Sequence, residues 1–126
     1  MNDETLLLRQ IHPTFVQGGR VTSQAFRPTP KDESKLSVYD GDMIDAEAAY
    51  AHYTTELALG SVGVLAIKHA ECLAFDLPVE PDSVPFPEHA FIDFTAFEKK
   101  QIEKKAKLLK AKAVTRGWLY MDDSSA

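Results

Sequence analysis

The sequence has one cysteine (Cys72), one tryptophan, and no apolar run approaching the length of a membrane span in its 126 residues. One thiol forms no internal disulfide and excludes any multi-cysteine zinc site, so a metal centre would have to rest on His12, His52, His69 and His89. A bilayer-crossing helix needs about 20 consecutive apolar residues. The opening Met1-Asn2-Asp3-Glu4 is acidic where a secretory leader is basic, and the expectation is a cytoplasmic chain with no membrane association. Also absent are the phosphate-binding P-loop, G-x-G-x-x-G, G-x-S-x-G and H-E-x-x-H, the local signatures of nucleotide hydrolysis, dinucleotide binding, acyl transfer on a nucleophile elbow and zinc proteolysis. His69-Ala70-Glu71 matches the H-x-E half of the zinc-deaminase pattern, but the P-C-x-x-C half is missing. Neither metal nor cofactor is expected, and Cys72 reads as a small core thiol.

Basic residues are scarce over most of the chain. Residues 1–98 hold 6 bases against 16 acids, residues 99–121 hold 8 bases against 1 acid, and Asp122 and Asp123 follow. The net charge of −5 therefore divides into −10, +7 and −2 along the chain. Such an asymmetry raises nucleic acid or an acidic partner as ligands for the basic segment. At about 3.6 residues per turn, Ile102, Ala106, Leu109 and Ala113 form one narrow apolar stripe, and the lysines surround it instead of gathering on one face. Long lysine stems flanking a packed stripe describe a surface helix, and no aromatic residues are interleaved for base stacking. Nucleic acid is disfavoured, and Lys100, Lys104 and Lys107 are candidates for contact with an acidic protein partner.

The remaining pattern predicts an α+β domain over residues 1–121, with 122–126 a disordered acidic tail. Residues 5–11 are apolar and stop before His12-Pro13, as a short strand or turn. Gly18-Gly19 between β-prone runs predicts a hairpin, and Leu36 and Val38 alternate as in a half-buried strand. A helix is expected from about residue 45 to 58, capped by Asp45 and stopped by Gly60. Residues 61–67 are apolar enough for a strand covered on both faces, and residues 69–77 suit a short helix. Prolines 78, 81, 85 and 87 punctuate an acidic loop, residues 89–94 form the last strand, and a long helix is capped at Thr95 and closed by Gly117. This order predicts a single layer of four to five antiparallel or mixed strands with two main helices on one face. Val62, Val64, Leu65, Ile67, Phe91, Ile92, Phe94, Ile102, Leu109 and Trp118 are the expected core.

Two functional readings follow. One is an interaction protein, an accessory, immunity-like or antitoxin-like subunit, which binds another macromolecule by charge complementarity through the basic helix and the stiff loop 78–88. The other is a small enzyme or binding domain for an anionic, nucleotide-like molecule. Its ligand-binding candidates are Arg20, Ser23, Arg27, Lys31 and Lys35, an island of positive charge in the acidic body, with His12 and Asp32 as acid or base. His89 and Asp93 share a strand face around Phe91 and read as structural residues.

Overall fold

The computed structural model describes residues 1–29 and 33–122. Among the described residues, eight strands form two antiparallel sheets. In chain order they are β1 (Leu6–Gln10), β2 (Val16–Gln17), β3 (Arg20–Val21), β4 (Lys35–Asp40), β5 (Gly63–Lys68), β6 (Val79–Pro81), β7 (His89–Asp93) and β8 (Tyr120–Met121). The main sheet has six strands in the order β6-β7-β4-β1-β5-β8, and β2 and β3 make a separate hairpin. Gly18 and Gly19, at φ 57° and 77°, supply the left-handed turn that two-residue hairpins require. The helices are α1 (Ala46–Ala51), which widens into a π-helical turn over His52–Glu56, α2 (His69–Ala74) and α3 (Lys99–Arg116).

The expected single layer with both helices on one face is wrong. The alternating side chains of β5 explain why: Leu65 and Ile67 join one buried cluster, and Val64 and Ala66 join another. The first cluster takes Ala106, Leu109 and Ala113 of α3 and Cys72 of α2, and the second takes Ala49 of α1. A sheet apolar on both faces needs a cover on each. The strand count was underestimated because β6 and β8 are two or three residues long. Val79–Pro81 pairs only with β7, as suits a proline-bearing edge.

Helix ends also differ from expectation. Asp45 caps α1, accepting from Ala48 N at 2.8 Å, but Ala58 takes the left-handed turn, at φ 54°, instead of Gly60. The cap of α3 is Glu98, whose N–H donates to Gln101 Oε1 at 3.0 Å. Thr95 instead donates its own N–H to Asp93 Oδ1 at 2.8 Å. Gly117 closes α3 at φ 92°, and Asp122 is tied to the body by its N–H to Val62 O at 2.9 Å. The rest of the expected tail, residues 123–126, lies outside the described residues.

The feature that positions the site is a fork in the sheet. β1 pairs with β5 along its whole length, Leu6↔Lys68 through Gln10↔Val64, and β4 pairs with β7 from Lys35↔Asp93 to Tyr39↔His89. Between β1 and β4 only Leu7↔Asp40 and Leu8↔Tyr39 are paired. Beyond Leu8 the strands part, and Arg9 spans the gap: Nη1 donates to Ser37 O at 2.9 Å and Nε to Ala25 O at 2.7 Å. The guanidinium thus takes a carbonyl of the diverging strand, so that separating β1 from β4 does not strand that acceptor.

Candidate functional site

Two clefts adjoin the fork, and both are lined by Arg9 and Ser37. The first, about 430 Å³, has β1 and β4 as its floor at Leu8, Gln10 and Tyr39, with Tyr53, Leu57 and Leu59 on one side and Pro85, Phe86 and His89 on the other. The second, about 370 Å³, is lined by Arg27, Lys35, Gln24 and Phe15 among others.

An aromatic assembly shapes the first cleft. Phe86 stacks on Tyr39 with ring centroids 4.9 Å apart, and meets His52 at 4.6 Å and His89 at 5.3 Å. Tyr39 Oη lies 2.8 Å from His52 Nδ1. Burial raises the Tyr39 pKa well above its ordinary value, and nearby Tyr53 and Glu88 add to the shift. Tyr39 therefore keeps its proton at neutral pH, and its hydroxyl and His52 Nδ1 share one hydrogen bond.

Gln10 is the polar exception on this floor, only 5% exposed. Ser61 Oγ reaches its Oε1 at 2.8 Å, and Nε2 has no partner among the described residues. Rotating the amide by half a turn leaves the other end unpaired instead, because among the described residues Ser61 Oγ is its one hydrogen-bond partner. An unsatisfied buried polar group costs about 1–3 kcal/mol. Arg27 Nε is likewise buried without a partner among the described residues, and it lines the second cleft.

His89 bridges two strands and a loop. Its Nε2 is 3.1 Å from Ser37 Oγ. Its Nδ1 is 3.2 Å from Asp82 O and 3.6 Å from Asp82 Oδ2. Asp93, the partner considered from sequence spacing, is engaged elsewhere: hydrogen bonds from Thr95 hold its carboxyl below the usual range, and Lys35 adds to this.

The positive island is divided by the fold. Arg27 and Lys35 line the second cleft, while Arg20 lies at another, with Lys110 and Trp118. Lys35 also sits over the Phe91 ring at 5.0 Å. Ser23 begins a 3-10 turn, Ser23–Phe26, whose Ala25 and Phe26 are buried. His12 caps the turn Pro13–Phe15, accepting from Thr14 N at 3.1 Å, and lines neither cleft. Lys31 and Asp32 lie outside the described residues.

Cys72 and the Glu71–Arg116 pair serve the scaffold. Cys72 is buried, and burial together with Glu71 pushes its thiol up to about 12. Burial pushes Glu71 up as well, but the Arg116 hydrogen bonds, the Lys68 N–H and the charges of Arg116 and Lys112 outweigh it, leaving the carboxyl lowered. Arg116 Nη2 reaches both Glu71 oxygens at 2.9 Å. Lys100, Lys104 and Lys107 are exposed, with no ion-pair partner among the described residues. Among those residues no group of three or more histidine, cysteine or acidic side chains could hold a metal, and no helix is long and apolar enough to cross a membrane.

Sequence reasoning missed Arg9, Gln10, Tyr39, Asp82 and Phe86 as site residues. Gln10 carried a usable signal, since Leu6, Leu8 and Gln10 share one strand face and a polar residue in an inward row calls for a partner. No protein-family model matches the chain, and comparison with curated proteins and with solved structures finds no match.

Proposed function

We propose that the chain is a binding domain for a small anionic molecule with a flat ring, nucleotide-like in its division into ring and anion. The ring lies against Tyr39 and Phe86, and the anion meets Arg27 and Lys35 across the fork. The observation that carries this reading is the amide of Gln10, whose Nε2 is buried without a partner among the described residues, beside a cleft lined by Tyr39, Tyr53, Phe86 and His89 together with Leu57, Leu59 and Pro85. Mostly apolar walls with a few converging polar groups are the usual make-up of a small-molecule site. A ligand that pairs the amide recovers the energy the apo protein forgoes.

The test is thermal denaturation with nucleoside monophosphates and aryl carboxylates. At least one should raise the midpoint saturably, and Arg27→Met should reduce the shift while leaving the unliganded midpoint within a few degrees. A panel in which no compound stabilises the protein contradicts the reading.

A second reading rests on Lys100, Lys104 and Lys107. They are exposed with no ion-pair partner among the described residues, which leaves the positive charge available to an acidic protein. Reversing all three to glutamate should abolish salt-sensitive capture of partners from a lysate of the source cells, and unchanged capture removes α3 from this role.

A further inference from the structure

We infer that Ser37, His89 and Asp82 form a nucleophilic relay that hydrolyses carboxylic esters joining an aromatic part to an anionic part. This rests on the cleft assignment above and adds a reaction to it. Both neighbours of His89 Nδ1 are acceptors, the Asp82 carbonyl at 3.2 Å and its carboxylate at 3.6 Å. The ring proton of the neutral imidazole therefore resides on Nδ1, and Nε2 turns its lone pair to the Ser37 hydroxyl at 3.1 Å. A hydroxyl within reach of an oriented imidazole is the arrangement of an activated nucleophile. The His89 side chain is only 11% exposed, held by the Phe86 ring, while Ser37 is open to solvent.

The position of Ser37 selects the substrate. It lines both clefts, so a molecule with its ring in the first and its anion in the second carries its linking bond past this residue. Ser37 Oγ bonds to the acyl carbon as its proton passes to His89 Nε2 and the carbonyl π pair moves onto oxygen. That pair returns, the bond to the alcohol oxygen breaks, and the alcohol leaves with the proton from His89. Water then adds to the acyl-Ser37 carbon, giving its proton to Nε2. Collapse breaks the Oγ bond, returns the proton to Ser37 and releases the acid. One ester and one water become one acid and one alcohol.

The experiment uses the mono-4-nitrophenyl ester of adipic acid as substrate and the corresponding anilide as its uncleaved analogue. Wild type should release 4-nitrophenol catalytically, with an adipoyl adduct mapped to Ser37 by mass spectrometry. Ser37→Ala and His89→Gln should each lower the rate at least about 100-fold while still binding the anilide. Asp82→Asn, altering a positioning residue, should lower kcat and leave KM unchanged. Release by Ser37→Ala within about threefold of wild type overturns the relay, and so does an adduct elsewhere. Anilide binding without ester cleavage by wild type removes the relay and spares the binding site. Absence of both removes the relay, and the ligand panel decides the binding site separately.

Discussion

Ser37 and His89 are diagonal neighbours on adjacent antiparallel strands: His89 pairs directly with Tyr39, Ser37 pairs with Phe91, and the Ser37 Oγ to His89 Nε2 contact closes at 3.1 Å. The alternation of β4 and β7 places all four on one face. Tyr39 and His52 form a second hydroxyl–imidazole contact beside the first, with the opposite ring nitrogen engaged.

This opposition predicts two tautomers. In its neutral form His89 should carry its proton on Nδ1, and His52 should accept from Tyr39 at Nδ1 and carry its proton on Nε2. Long-range 1H–15N correlation spectra distinguish the two forms, and His89 found as the Nε2–H tautomer would contradict its assigned partners.

The Glu71–Arg116 pair predicts an acid-side loss of stability. The folded carboxyl is lowered from its ordinary 4.5, so its contribution is present above the unfolded value and is lost as pH falls through the folded one. Glu71→Gln should cost about 1.5–3 kcal/mol at neutral pH, with the gap to wild type closing in acid. Urea denaturation at several pH values measures this, and a gap that persists in acid refutes the attribution.

Two backbone positions should respond in opposite senses. Ala58 holds a left-handed φ of 54°, and Ala58→Gly should stabilise by roughly 1 kcal/mol. At Gly63 an added Cβ would meet Tyr120 O at 2.5 Å and the Trp118 ring at 3.0 Å. Gly63→Ala should therefore lower the melting temperature by separating β8 from β5.

Cys72 should be silent toward a disulfide reagent such as dithionitrobenzoate until the protein unfolds. Its thiol is enclosed and its pKa raised to about 12, so both access and thiolate are lacking. Fast labelling of the native protein would contradict the packing of α2.

Local pattern made much of the secondary structure legible. Gly18-Gly19 announced the hairpin, Asp45 the start of α1, Gly117 the end of α3, and the apolar run at Val64 a doubly covered strand. The layer arrangement was less legible, because burial on both faces of β5 says that two covers exist without saying which helices supply them. Strands as short as β6 and β8 carry too few residues to show a period. The site was least legible, since it depends on β1 and β4 separating after Leu8, a matter of tertiary packing at the Ser23–Phe26 turn. Arg27 and Lys35 were visible as charges, but Arg20, in the same island of sequence, lies at another cleft.

Gln10→Met tests the central claim most directly. Methionine keeps the bulk and removes the unpaired amide, while Ser61 Oγ retains Gly63 O at 2.9 Å and Gly63 N at 3.2 Å. If Gln10 is kept for a ligand, calorimetric melting should show the unliganded variant at least as stable as wild type, with the ligand-induced rise in midpoint lost. A less stable variant that retains the full ligand-induced rise would mean that Gln10 serves the fold and that the cleft is not the binding site.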